Sequence, residues 1–455
     1  MVERRPNPRV KMFRFITKMK NLKRKIIEWN KEHFKNIFET KLEIEEELKN
    51  LNNEVIKKGM DNCKYMKEKE LMTKQEDILA KEETFWRQKS REKWLEEGDR
   101  NTKFFHNSVI QNKNLRNITH LKSVEGNMVS DPLKISEELI NYFNDCLNNY
   151  ETSNHSSQLE ILQNIPKIIS DEDNKLLNKP LTLEEIKSAL FSINPDKSPG
   201  PDGFQAFFYQ KCWDIIGEEL WVAIEATRNG GSILKEINHT FLTLIPKKGN
   251  AEVPGDYRPI ALCNTIYKIL SKALATRLKT LLPKLISEEQ TRFMPGKSII
   301  DGISIIQETI HSAKSNKEAC MFLKLDIQKA YDKVDWRFLC KTMEAFGFSR
   351  RWINLIYQCI STPKFSLLIN GTPEGFFSTS KGIRQGDPIS PFLFIIMAET
   401  LGRSIKFAQS QSKIQGIPVA DNVENTTHQQ FADDTILAGQ STTYETKNYK
   451  TILDK

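Results

Sequence analysis

Two carboxylates stand side by side near the end of this 455-residue chain: Asp433 and Asp434 of QQFADDTILAG (residues 429–439), where the flanking pattern reads as a strand. Neighbouring carboxylates repel, and burying either one unpaired is costly, so the doublet calls for a cation, a turn or open solvent. A third carboxylate, Asp326, closes the apolar run ACMFLKLD (residues 319–326). Side chains alternate faces along a strand, so Asp433 and Asp434 can address one metal only if a hairpin turn falls at the doublet. Such a turn is expected to set Asp433 beside Asp326 on a neighbouring strand and to leave Asp434 turned partly aside. Carboxylates gathered at strand ends make a hard oxygen site suited to Mg2+. A pair of ions held that way is the arrangement that carries phosphoryl transfer.

The elements that must position these groups are read from periodicity and turn chemistry. FLTLIPK (residues 241–247) is a strand, and YKILSKALATRLKTLLPKLI (residues 267–286) has the apolar spacing of a helix. Asp335 caps a helix over residues 336–345 that Gly347 ends, and Ser349 caps the next one. FSLLING and GFFSTS form a hairpin through Asn370 and Gly371, and Pro391 opens a buried helix after Ser390. Upstream, Thr182 and Glu185 make a capping box, and NPDKSPGPDG (residues 194–203) is loop by its proline and glycine content. SVEGNMVSDP (residues 123–132) carries the signals of a small hairpin, and a polar stretch at residues 148–158 is expected to be a mobile loop.

The N-terminal third is basic and helical. Net charge is +8 with 28% charged residues, which points to a polyanionic partner. The excess sits mainly in residues 1–130, with roughly ten Lys and Arg in the first 25 residues. Apolar residues then recur seven apart: Ile27, Phe34, Leu48 and Val55 on one seam and Ile37, Ile44 and Leu51 on the other. After a break near residues 59–63, Leu71, Ile78 and Phe85 run beside Met72, Leu79 and Trp86, so a helical hairpin or coiled coil with a capacity for self-association is expected, weakened at one seam position by Lys41. Seven cysteines without a CxxC pair argue against a disulfide framework and a zinc module. The longest apolar run, PFLFIIMA (residues 391–398), is too short to span a bilayer. An intracellular setting is expected.

LKLDIQKAYDKVDW (residues 323–336), GIRQGDPISPFLF (382–394) and FADD (431–434) resemble, in content and order, the palm motifs of reverse transcriptases, and most closely those of non-LTR (LINE-type) retrotransposons of plants. LIPKKGNAEVPGDYRPIAL (244–262) resembles their fingers hairpin, QTRFMPGKSIIDGI (290–303) the segment between fingers and palm, KSPGPDGF (197–204) their N-terminal extension, and GDRNTKFFHNSV (98–109) the linker to an upstream endonuclease. The resemblance implies an α+β fold, a right-hand polymerase fingers and palm with an antiparallel palm sheet, preceded by the helical hairpin. The expected divisions are a basic arm at 1–25, the helical hairpin at 26–97, a linker region at 98–180, the N-terminal extension at 181–240 and the reverse transcriptase domain at 241–455.

By the same resemblance Asp326, Asp433 and Asp434 are the catalytic carboxylates and hold two Mg2+ ions, with Mn2+ as an alternative. Lys247 and Arg258 hold the incoming triphosphate. Tyr331 excludes a 2′-hydroxyl, Gln385, Gly386 and Pro388 face template and nucleotide, and Arg292 and Lys297 line the template path. The implied partners are an RNA template, a DNA primer and deoxynucleoside triphosphates, with no membrane, and the implied place of reaction is the nucleus. No endonuclease pattern precedes residue 94, and the family's thumb and primer grip would lie beyond the last residue, so the sequence reads as a fragment that extends primers poorly alone. The competing readings are an inactive remnant that binds RNA or self-associates, and an intron maturase-like reverse transcriptase.

Overall fold

The structure, a computed structural model, describes residues 8–34, 36–90, 102–123, 126–148, 155–230, 232–420 and 423–454. The start of the basic arm, the junction at 94–101 and most of the loop expected at 148–158 lie outside them. Two compact units result, Arg14–Thr119 and a larger one of Met1–Phe13 with His120–Lys455.

The basic segment is itself a helix, and its residues from Arg14 onward belong to the helical unit. α1 (Pro8–Trp29) crosses the division expected at residue 25 and ends in a π-helical turn, Asn30–Phe34. The single helix expected from Ile27 is therefore interrupted, and α2 (Ile37–Lys58) starts afresh at Asn36, whose side chain accepts from the Phe38 amide. α2 pairs with α3 (Asn62–Ser90) through Ile44 and Leu51 on one helix and Leu71 and Ile78 on the other, so one heptad seam is buried while Ile27 is exposed. Lys41 does not weaken this seam. Its Nζ lies 2.8 Å from Oε2 of Glu82, a residue only 8% exposed, so the cation is answered across the pair. α4 (Thr102–Arg116) packs on α3, with the rings of His106 and Trp86 edge to face at 4.5 Å, which carries this unit past the division expected at residue 97.

The larger unit opens with the expected small hairpin, β1 (Leu121–Lys122) against β2 (Met128–Val129), and continues through α5 (Pro132–Asn148), α6 (His155–Gln163) and α7 (Asp171–Asn178). α8 (Leu183–Phe191) has the capping box of Thr182 and Glu185, and α9 (Ala206–Lys211), α10 (Trp213–Gly230) and α11 (Lys235–Asn238) come next. Glu185 also takes Arg277 in an ion pair at 2.7 Å, so the cap of α8 is tied to the next helical layer.

Two sheets organise the remainder of the larger unit. β3 (His239–Pro246) pairs antiparallel with β4 (Tyr257–Cys263) and parallel with β6 (Lys364–Ile369), which turns into β7 (Thr372–Phe377), giving the order β4-β3-β6-β7. Asn370 and Gly371 both have positive φ, the requirement of a I′ hairpin turn. The second sheet, β5 (Cys320–Asp326), β9 (Asp434–Gln440) and β8 (His428–Phe431), is antiparallel throughout with β9 central.

Between and around the strands run α12 (Thr265–Lys279), α13 (Leu282–Leu285), α14 (Ile299–Ser315), α15 (Trp336–Phe346), α16 (Arg350–Ser361), α17 (Ser390–Ser410) and α18 (Thr443–Leu453). The helix expected over residues 267–286 breaks before Pro283, which has no N–H to continue the ladder and starts α13 instead. Leu437 of β9 packs with Ile405 and Ala408 of α17 and Tyr449 of α18 on one face of the second sheet. Ala438 packs with Ala313 of α14 and Ile417 on the other. A sheet held on both faces fixes its strand ends, and those ends carry the carboxylates.

Candidate active site

β8 and β9 are joined by two residues, Ala432 and Asp433, so the expected turn does fall at the doublet. Ala432 has φ of 58° while Asp433 has no positive φ, the pattern of a II′ turn, whose first central position normally falls to glycine. β9 runs back beside β5, and the register sets Asp434 directly opposite Asp326. Side chains of directly opposed residues share a face with Cβ atoms roughly 5 Å apart. The partner expected for Asp326 was Asp433. Because the turn uses Ala432 and Asp433 as its central pair, the first strand residue is Asp434, and it takes that place.

Asp433 stands at the tip, and its charge reaches Tyr331. Burial and then the Asp433 carboxylate push the Tyr331 phenol up to about 12, with Arg292 acting in the opposite direction. The Tyr331 ring lies flat on Phe394 of α17, with centroids 5.2 Å apart and planes within 8°. Arg292 is stacked over the rings of Phe431 and Phe293, 4.8 Å from each, so this template candidate leans on the strand that delivers the doublet. Lys297 donates to the Glu288 carbonyl at 2.8 Å.

The donor set of the three aspartates is oxygen only, and two of the carboxylates face each other at the open end of a sheet, which fits a hard divalent cation. Lys324 Nζ, 3.4 Å from Asp434 Oδ1, already places a cation against one of the two. Among the described residues no group of three or more His, Cys, Asp or Glu is gathered closely enough to hold an ion. The geometry therefore offers a facing pair with Asp433 beside it.

The loop between residues 382 and 389 is pinned from beneath. Arg384 and Asp387 form an ion pair at 2.9 Å with both side chains almost wholly buried. Asp387 also accepts from the hydroxyls of Tyr267, at 2.7 Å, and Ser271, while Arg384 donates to Asn238, Thr240 and the Cys359 carbonyl. This cage leaves Gln385 half-buried and Gly386 exposed. The Gln385 carbonyl accepts from the Ala261 amide of β4 at 2.8 Å. Gly386 has φ of 107°, and a Cβ there would meet the Ala261 carbonyl at 3.1 Å, so the fold itself requires glycine. Arg258 is exposed on β4, and Lys247 donates to the Gly255 carbonyl at 2.8 Å.

Sequence reasoning missed Arg384, Asp387 and Gln290, although all three lie inside motifs it had marked. The i,i+3 spacing of Arg384 and Asp387 was the available signal. Gln290, 1% exposed, touches the turn through its side-chain amide, and only strand register reveals it.

Residues 245–455 match the family model described as reverse transcriptase (RNA-dependent DNA polymerase). The chain is 28% identical over 378 residues to the transposon TX1 uncharacterized 149 kDa protein of Xenopus laevis, covering 83% of this chain and 28% of that one. It is 25% identical over 266 residues to the retrovirus-related Pol polyprotein from type-2 retrotransposable element R2DM of Drosophila melanogaster, covering 57% of this chain and 23% of that one. A probable RNA-directed DNA polymerase from transposon BS of the same organism is 23% identical over 228 residues, covering 49% of this chain and 25% of that one. The chain thus spans about a quarter of the length of these curated relatives.

Proposed function

We propose, from the match of residues 245–455 to the reverse transcriptase family model, that this chain is the RNA-directed DNA polymerase part of a non-LTR, LINE-type retrotransposon protein. It adds deoxynucleotides to a primer 3′-hydroxyl on an RNA template. The observation that carries this reading is the facing of Asp326 and Asp434, with Asp433 at the adjoining turn.

Asp326, Asp433 and Asp434 would hold two Mg2+ ions, which when bound would lower the pKa of the primer hydroxyl and offset the charge on the leaving pyrophosphate. The remaining work is positioning, and the chain's own residues do it. Lys247 and Arg258 on the β3–β4 hairpin meet the triphosphate, Arg258 through its fork of donors. Tyr331, braced flat against Phe394, presents a ring that a 2′-hydroxyl would strike. Gln385 and Gly386 border the nascent base pair on a loop that Arg384 and Asp387 hold from within the core. Arg292 and Lys297 guide the template. The basic helix α1 adds RNA affinity, and the α2–α3 pair offers a surface for self-association. No helix among the described residues is long and apolar enough to cross a membrane, and the reaction is assigned to the nucleus.

The test is single-nucleotide primer extension by the whole chain with Mg2+, with Mn2+ and with chelator, beside Mg2+-dependent binding of a deoxynucleoside triphosphate. Metal-dependent incorporation or binding that Asp326→Asn abolishes is the expected result. Neither activity in a folded protein would overturn the reading.

A further inference from the structure

We propose that Gln290 is a positioning residue for the carboxylate hairpin: its side-chain amide holds Ala432 at positive φ and so sets where Asp433 and Asp434 stand. This deepens the polymerase reading above and rests on it.

The segment that carries Gln290 runs parallel to β8 and meets it in a single isolated bridge, Gln290 with Gln430. The Gln430 amide donates to the Glu289 carbonyl at 2.9 Å, and the Thr291 amide donates to the Gln430 carbonyl at 3.1 Å. That segment is itself fastened to α17. The Ser287 amide and hydroxyl donate to Glu399 at 3.1 and 3.0 Å, and Lys406 pairs with Glu289 at 2.9 Å. From this anchored base the Gln290 side chain reaches the turn. Its Oε1 accepts from the Ala432 amide at 3.0 Å and from the Arg292 amide at 3.0 Å, and its Nε2 donates to the Ala432 carbonyl over a longer 3.5 Å.

One side chain therefore engages both polar groups of the residue that most needs holding. Alanine avoids the left-handed region because its Cβ crowds the backbone, yet Ala432 has φ of 58°. The next two residues are the carboxylates. A turn free to relax at Ala432 would swing Asp433 and tilt Asp434 against Asp326, and in phosphoryl transfer small misplacements of the reacting geometry are expensive in rate.

The test compares Gln290→Met, which keeps length and burial but lacks the amide, with Gln290→Met combined with Ala432→Gly. Glycine accepts positive φ without a clasp. The expected result in single-nucleotide incorporation is a kcat lowered roughly ten- to a hundredfold in the Met variant, with KM for the nucleotide within about threefold. Glycine at 432 should recover much of that loss. Amide hydrogen exchange across residues 430–434 is measured on the same proteins and should accelerate in the Met variant. A wild-type protein with neither incorporation nor metal-dependent nucleotide binding would sink the polymerase reading and leave the clasp to be judged by exchange alone. Unchanged exchange in the Met variant, or a loss of kcat that glycine does not relieve at all, would overturn the positioning role.

Discussion

Asp326 and Asp434 are in-register partners on neighbouring antiparallel strands, so their carboxylates project from the same face at the end of the sheet. Like charges so placed repel unless a cation intervenes. Lys324 provides one, at 3.4 Å from Asp434, from an exposed position two residues along β5.

Asp326→Asn and Asp434→Asn should each abolish Mg2+-dependent incorporation while leaving the fold intact, because both side chains sit at a solvent-facing sheet end and not in the core. Circular dichroism and thermal melts taken beside the activity assay decide between roles. Loss of activity together with a collapsed melt would assign the pair to structure.

Lys324→Met should lower the Mg2+ concentration needed for half-maximal incorporation, since the ammonium and the metal compete for one carboxylate. The pair is exposed, so the change should be modest, on the order of two- to fivefold. A higher Mg2+ requirement in the Met variant would mean that Lys324 aids metal binding.

Tyr331→Ala should raise ribonucleotide incorporation relative to deoxyribonucleotide, and Tyr331→Phe should leave discrimination nearly intact, because the ring braced on Phe394 does the excluding. The assay is a ratio of kcat/KM for the two nucleotides. Equal ratios in the Ala and wild-type proteins would remove Tyr331 from this role.

What was legible in the sequence is what local chemistry decides. Thr182 with Glu185, Asp335, Ser349, Asn370 with Gly371, and Pro391 each act within a few residues, and each delimits the element it was read to delimit. The doublet was read as calling for a cation, a turn or open solvent, and a turn does fall there. Its register was not legible, because pairing Asp326 with Asp434 depends on strands about a hundred residues apart and on which two residues the turn consumes. Lys41 looked like a flaw because Glu82 answers it only across the helix pair. Arg384 and Asp387 were missed because their partners, Asn238, Thr240, Tyr267 and Ser271, are scattered over earlier elements.

Arg384→Met should cost about 3–5 kcal/mol of stability, the range for removing one member of a buried pair and stranding the other. Asp387 would keep two hydroxyl donors and the more distant Ile389 amide but no counter-charge in the interior, and Asn238 and Thr240 would lose a donor. Urea denaturation measures this. A loss below about 1 kcal/mol would show that the loop repacks without the ion pair.

Asp332 makes the stability of the larger unit pH-dependent. Burial raises its carboxyl from the ordinary 3.8 to about 6, and the charges of Lys329, Lys247 and Lys381 hold it from rising further. It lines a cleft with Lys381, Gln385 and Pro259, beside the residues assigned to the triphosphate. A carboxyl whose folded pKa lies above its unfolded one keeps its proton in the native state while the unfolded chain has released it. Unfolding is then favoured more as pH rises between about 4 and 6, and the loss levels off above 6, reaching at most about 3 kcal/mol. Asp332→Asn removes this dependence. The variant should match wild type below pH 4 and exceed it at pH 7, by up to the same few kcal/mol, in urea titrations across that range. A stability difference that stays constant from pH 4 to pH 7 would mean that the Asp332 proton is not linked to folding.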